Sequence, residues 1–314
     1  MLLSRHADSL FWLARYMERA ENAARILETA SRLASVPNGT AIGRNEWRSA
    51  VVSTGMSEAF DARYDEATPA NVIEFLAFSQ DNPSSIRSCF ESARNNARSV
   101  RTALTIDVWE SINSTWLELK RYHAGTLSRQ ELGVFLTFVK EASLRFDGSA
   151  YRTMLRNDSY YFLRLGSYIE RADFTARILN ARSALFDPTQ ETVSGSLEYY
   201  QLSSLLCCVS AQTSYHWVYR ESLRPHLVAD LMIIREEMPR SLASCYENIT
   251  RFLDNLARDY GRHGKSQREA RKTLSRLQEA DLAALTKEGP GDFLDEFVVE
   301  NGRLGMAIAD QYLG

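Results

Sequence analysis

A chain of 314 residues that is 45% hydrophobic holds enough apolar side chain for a large buried core, which excludes intrinsic disorder. Only 7 Pro and 15 Gly are spread over that length, too few for the frequent turns of a sandwich or barrel, and Ala, Leu, Arg and Glu are abundant, so an all-α fold is expected. The net charge of −3 argues against a protein whose main task is coating nucleic acid or an anionic membrane, because both need a basic surplus.

The first predicted element is a helix from about Arg5 to Leu33, with Ser4 as its N-cap and Pro37-Asn38-Gly39 just beyond its end. Shorter helices follow at roughly 44–54 and 57–65. Thr68-Pro69 and Asn82-Pro83 each set a capping side chain before a proline suited to the first helical turn. A long helix is expected from Pro83 to about Ala103, then one from Asp107 to His123, then one opened by the Ser128-x-x-Glu131 capping box over about 128–147. Asn157 or Asp158 opens a long helix to Leu185. Beyond it come a helix near 196–209, helices starting around Ala211 and Pro225, and one starting at Pro239. Ser266-x-x-Glu269 reads as another capping box, and Asp292 to about Tyr312 as a closing helix after Gly289-Pro290-Gly291. Loops this short predict one compact body over residues 1–312.

Aligning the chain with itself at an offset of 152 sets Tyr16 to Leu27 on Tyr168 to Leu179 with eight of twelve positions identical, Glu18-Arg19 falling on Glu170-Arg171. At an offset of 156, Pro83, Ser85, Ser88, Cys89 and Glu91 fall on Pro239, Ser241, Ser244, Cys245 and Glu247, and Pro69 falls on Pro225. A period this long is not that of a solenoid, so the expectation is two duplicated multi-helix halves packed about a pseudo-twofold axis. The first half covers about 4–123, the second about 157–260, and helices over about 266–312 depart from the duplication.

Cys89, Cys207, Cys208 and Cys245 have no metal-ligand spacing and read as reduced core residues. No apolar run approaches the roughly 18 residues of a membrane span, and Arg5, His6 and Asp8 interrupt any signal-peptide core, so a cytoplasmic location is expected. There is no Walker loop, Rossmann glycine fingerprint, Gly-x-Ser-x-Gly elbow or Glu-x-x-His pair, and no cofactor or metal is expected.

The paired Tyr-x-Glu-Arg-Ala segments at Tyr16 and Tyr168 are accompanied by Ala97-Arg98-Ser99-Val100-Arg101, by Trp109 and Asn113 after it, and by the Pro-x-Ser starts at Pro83 and Pro239. Together they resemble the Alpha-E family, an all-helical bacterial family named for its Glu-Arg motif, over about residues 1–312. The resemblance implies company rather than a reaction, since family members accompany circularly permuted ATP-grasp proteins and transglutaminase-like peptidases. ATP-grasp enzymes activate a carboxylate as an acyl phosphate for attack by an amine. The implied role is therefore a part in an amide- or peptide-forming system.

On helices, residues three or four apart share a face, so Arg15, Glu18, Asn22 and Arg25 form one stripe and Trp12, Tyr16, Arg19, Ala23 and Ile26 another. Glu18 and Arg19 therefore point in different directions. Arg19 and Arg171 sit among apolar residues, where an unpaired charge costs several kcal/mol, so each must find a carboxylate, a carbonyl or a bound anion. Glu21 and Arg25, like Asp173 and Arg177, have i,i+4 spacing. Two readings stay open: buried ion pairs joining helices of the two halves, or an acidic and guanidinium cluster that holds a substrate carboxylate or phosphate.

Arg outnumbers Lys by 32 to 5, through base composition of the genome or through use of its planar fork. One face carries Arg87, Arg94, Arg98 and Arg101, whose counterparts Ala243, Thr250, Asp254 and Ala257 are not basic. Arg94, Arg98 and Arg101 are candidates for an anionic ligand or acidic partner, against a plain solvated face. The basic segment from Arg262 to Arg276 lacks interleaved aromatics and reads as solvated surface rather than a nucleic-acid site. His6, near the start of the first Glu-Arg helix, is a capping or surface residue or a proton carrier.

The leading expectation is an accessory protein that partners an ATP-grasp-type ligase and holds its acceptor peptide or amino acid. The alternative is an enzyme with Glu18 and Glu170 as acid/base groups and Arg19, Arg171, Arg98 and Arg101 orienting an anionic substrate. A third reading is a homodimeric scaffold without a ligand.

Overall fold

The structure, a computed structural model, describes residues 3–34, 40–125, 127–186, 195–280 and 290–314; the expected stop at Pro37-Asn38-Gly39, and Gly289, lie outside them. Regular structure among the described residues is entirely helical. In chain order the helices are α1 (Ser4–Leu33), α2 (Thr40–Ser53), α3 (Ser57–Asp61), α4 (Pro69–Ile73), α5 (Ile86–Ser99), α6 (Ile106–Leu119) and α7 (Arg129–Thr153). Then follow α8 (Asp158–Asn180), α9 (Gly195–Cys208), α10 (Gln212–Tyr219), α11 (Pro225–Ile233), α12 (Leu242–Tyr260), α13 (Lys265–Gln278) and α14 (Gly291–Ile308). The α4 and α14 helices each run on into a π-helical turn, at Glu74–Phe78 and Ala309–Leu313.

Two long helices form the centre. A surface helix needs one apolar stripe, but α1 buries Leu10, Phe11, Leu13, Met17 and Leu27, and α8 buries Phe162, Leu163, Leu165, Ile169 and Phe174, around most of their girth. Each such side chain taken from water contributes about 1.5–3 kcal/mol. The two helices touch backbone to backbone at Gly166, where an added Cβ would lie 2.1 Å from the Phe11 carbonyl oxygen. Contacts climb both helices together, from Phe11 and Ala14 against Gly166, through Arg15 on Glu170, to Glu18 on Arg171, so α1 and α8 run side by side in one direction. On α1 pack α5, α7 and α2; on α8 pack α12 and α14, with α13 outside α12.

Side-chain caps explain most helix starts: Thr68 accepts from Asn71 N, Thr105 from Val108 N, Ser128 from Glu131 N within a full capping box, and Asn157 from Tyr160 N. Several expected boundaries move. Ser4 is the first helical residue of α1, and no side chain caps that end. Neither Pro83 nor Pro239 starts a helix; the caps are Ser85 and Ser241, two residues on, because Asn82 Oδ1 accepts from Ser84 N and its carbonyl from Ser85 N, holding Pro83 in a turn. The long helix expected to Ala103 ends at Ser99 with a 3-10 turn after it, and the one expected to Leu185 ends at Asn180 with a second. The α6 helix stops at Leu119, short of His123, while α7 continues to Thr153, past the expected 147. Ser266 caps nothing: α13 begins at Lys265, where Gln267 Oε1 accepts from Gly264 N, and the Ser266 hydroxyl donates to Gln311.

All four cysteines are free, and Cys89, Cys208 and Cys245 are buried. Among the described residues no helix is long and apolar enough to cross a membrane.

Candidate functional site: paired Glu-Arg centre and adjoining cleft

Glu18 and Arg19 leave α1 in different directions, as helical spacing requires, and each finds its partner on α8. Arg19 donates from Nε to Glu170 Oε1 at 2.6 Å and from Nη2 to Oε2 at 3.0 Å. Arg171 returns the arrangement, donating from Nε to Glu18 Oε1 at 3.0 Å and from Nη2 to Oε2 at 2.8 Å. Two forked pairs thus cross-link the central helices, and the apolar surroundings of Arg19 and Arg171 are tolerated because each guanidinium meets a carboxylate squarely.

Each glutamate takes a second arginine from a different place. Arg15, one turn before Arg19, donates to Glu170 Oε2 at 2.9 Å, so Arg15 groups with Arg19 rather than with the Glu18 stripe. Arg240, in the turn before α12, donates to Glu18 Oε1 at 2.9 Å and to Glu21 Oε1 at 2.8 Å. Glu21 also receives Arg25 Nε at 2.7 Å and the Ser143 hydroxyl of α7 at 2.7 Å. Arg25 reaches on to the Cys208 carbonyl and the Ser210 hydroxyl, and Ser210 holds a left-handed φ of 58°.

Glu18 and Glu170 are 4% and 6% exposed. Burial by itself raises both carboxyl pKa values, but the guanidinium groups outweigh it: Arg171 and Arg240 hold Glu18 well below the usual carboxylate range, and Arg19 and Arg15 bring Glu170 down to about 2. Both stay ionised at neutral pH as fixed counter-ions, whereas an acid/base catalyst works best with a pKa near the operating pH. Burial pushes the neighbouring Cys89 and Cys245 thiols up to about 12, so neither is a thiolate nucleophile.

Beside the Glu18 pair lies a cleft of about 220 Å³. Its inner wall carries Glu18, Glu21, Arg25, Arg171 and Arg240; its mouth carries Leu144 and Asp147 of α7, and Asp147 is held by Arg164 of α8. Arg171 engages two of its five N–H groups and Arg240 three, so N–H donors remain unclaimed on this wall among the described residues. Of the residues singled out from sequence, Glu18, Arg25 and Arg171 come together on this cleft, and Arg19 and Glu170 form the adjoining pair. Arg177 closes on Asp173, its i,i+4 partner, and lies against Gly55.

Arg94, Arg98 and Arg101 are elsewhere and do not gather. Arg94 donates to Asn113, Arg101 lies over the Trp109 ring at 5.0 Å, Arg98 is exposed at the end of α5, and Arg87 donates to the Tyr122 carbonyl. His6 is on the first turn of α1, twelve residues or about 18 Å of helix from Glu18. In the basic segment, Arg271, Lys272 and Arg276 pair with Asp254, Glu300 and Glu296. Among the described residues no three or more His, Cys, Asp or Glu side chains are grouped to hold a metal.

Sequence reasoning missed Arg240, Ser143 and Asp147. A signal for Arg240 existed: at the offset of 156 it falls on Ser84, so a charge appears between the proline and the cap in one copy only. Ser84 does not play that part: its hydroxyl accepts from Arg19 Nη1 at 3.3 Å, and the second arginine on Glu170 is Arg15.

Uncharacterized protein Mb2597 of Mycobacterium bovis and uncharacterized protein MT2643 of Mycobacterium tuberculosis are each 24% identical to the chain in an alignment 305 positions long that covers 90% of this chain. The chain spans 33% of the length of either relative. No solved structure matches. The profile of Alpha-E, described as a predicted alpha-helical domain with a conserved ER motif, matches residues 2–313, and this chain carries Glu-Arg dipeptides at Glu18-Arg19 and Glu170-Arg171, where α1 and α8 are cross-linked; the chain belongs to the Alpha-E family.

Proposed function

We propose that the chain is the accessory, substrate-holding component of an ATP-grasp-linked system that forms amide or peptide bonds, working beside a circularly permuted ATP-grasp-type protein and a transglutaminase-like peptidase. The observation that carries the reading is the pairing itself: both motif glutamates are closed into forked ion pairs and held ionised, beside a polar cleft with N–H donors to offer. Such a site suits binding of an acceptor-rich ligand better than proton transfer. The relatives support it too, because they carry the matched region as a third of a longer chain, as expected of a domain that works with others.

In this reading the ligase performs the chemistry and Alpha-E presents the acceptor. The test is ligase turnover by a purified circularly permuted ATP-grasp protein from the same cells, with and without this chain. A lower KM for the acceptor, or a gain in kcat/KM, is the expected result. Identical kinetics together with no measurable complex would overturn the reading.

A further inference from the structure

The cleft beside Glu18 is more selective than a general anion hole. Its charged lining is balanced, with Glu18, Glu21 and Asp147 against Arg25, Arg171 and Arg240, yet the two signs are not equally available. Glu18 and Glu21 each accept three hydrogen bonds already: Glu18 from Arg171 twice and Arg240, Glu21 from Arg25, Arg240 and Ser143. A carboxylate offers about four lone-pair directions, so little acceptor capacity is left on the inner wall. The guanidinium groups of Arg171 and Arg240, whose side chains are only 13% and 10% exposed, keep five N–H groups between them that no side chain or carbonyl claims among the described residues.

The mouth has the opposite character. Asp147 meets Arg164 through one oxygen only, Oδ1, and its side chain is 41% exposed, so Oδ2 is open to a donor. Leu144, 62% exposed, supplies an apolar edge beside it. A ligand that matches both ends carries a carboxylate inside and an ammonium outside. The volume, about 220 Å³, has room for a ligand of the size of one amino acid.

We propose that this cleft binds a free α-amino acid, its carboxylate received by Arg240 and Arg171 and its ammonium by Asp147. The inference deepens the accessory reading and rests on it for taking the cleft as the substrate site. The side chain of the ligand would lie toward Leu144 and the solvent, so recognition rests on the α-amino carboxylate shared by all amino acids.

The test is direct titration of the full chain. The twenty amino acids are screened singly by thermal shift, and the best is compared by calorimetry with its des-amino acid, its α-amide and inorganic phosphate. We expect at least one amino acid to bind with a Kd below about 1 mM, and both analogues to bind at least about tenfold more weakly. Asp147→Asn, a rim substitution that keeps an acceptor for Arg164, should weaken the amino acid about tenfold and leave the des-amino acid unchanged. Silence across the twenty, phosphate or the des-amino acid binding as tightly, or an Asp147→Asn variant that keeps the preference would each overturn the proposal. No ligase enters this experiment, so ligase stimulation without amino-acid binding removes this inference alone, and amino-acid binding with identical ligase kinetics and no measurable complex removes the accessory reading and leaves the ligand of the cleft standing.

Discussion

Arg240 bridges Glu18 and Glu21 from 222 residues away from Glu18 in sequence, donating at 2.9 Å and 2.8 Å and tying the turn before α12 to the middle of α1. Its backbone is fixed too, since the Arg240 carbonyl accepts from Thr175 Oγ1 of α8 at 2.8 Å. The bridge exists because Pro239 does not start the helix: the two-residue delay to the Ser241 cap leaves Arg240 outside α12 and free to face α1.

Arg240→Met therefore keeps the apolar stem but leaves two buried carboxylates short of a partner. We expect a stability loss of about 3 kcal/mol in urea denaturation, the scale for breaking a buried pair on one side. Arg98→Ala, at an exposed position on α5, should change stability by no more than about 0.5 kcal/mol. Equal losses for the two would show that the bridge contributes nothing special.

The two motif glutamates should not be equivalent. Glu170→Gln strips Arg15 and Arg19 of the carboxylate they share and leaves two guanidinium groups one turn apart, whereas Glu18→Gln still leaves Arg240 on Glu21. Both variants should lose stability, Glu170→Gln by about 1 kcal/mol more. If both instead melt like the parent while an activity disappears, the glutamates are catalytic and the counter-ion role is wrong.

Acid should expose the same centre. The Glu170 pKa is held at about 2 against an ordinary 4.5, so above pH 4.5 its ionised form contributes about 3 kcal/mol to the folded state. As pH falls from 4.5 toward 2, the unfolded chain binds a proton that the folded chain refuses, and this contribution drains away; Glu18, lowered in the same direction, adds to the slope. Urea denaturation at pH 5, 4 and 3 should show the parent losing stability more steeply than Glu170→Gln. Parallel curves would mean that the glutamate is not held ionised.

Much of this arrangement was legible in the sequence because it follows from helical periodicity. The 3.6-residue repeat places Glu18 and Arg19 on different faces, and the cost of a buried guanidinium requires the partners that Glu170 and Glu18 supply. What was illegible depends on chain segments that meet only in three dimensions. Ser143 and Asp147 belong to α7, whose rotation about its axis no local pattern specifies, and they reach α1 and α8 through tertiary packing alone. Periodicity likewise placed the arginines of α5 and of the turn after it on one face, but which partners hold them is set by packing: Asn113, the Trp109 ring and the Tyr122 carbonyl each hold one.

The close crossing of α1 and α8 gives the last test, because the ion pairs keep their geometry only while the helices stay near each other. Gly166→Ala would set a methyl group 2.1 Å from the Phe11 carbonyl oxygen and 3.3 Å from the Ala14 Cβ, against backbone that cannot turn aside. The helices must separate there, so we expect a loss of about 3 kcal/mol or more in spite of the better helix propensity of alanine. Gly148→Ala on α7 is the matched control: nothing lies within 4 Å of the added methyl, so propensity alone acts and stability should rise by about 0.5–1 kcal/mol. The two substitutions are chemically identical, and a difference of opposite sign between them in a denaturation series isolates the helix contact. A Gly166→Ala protein as stable as the parent would mean that α1 and α8 are not pressed together at this point.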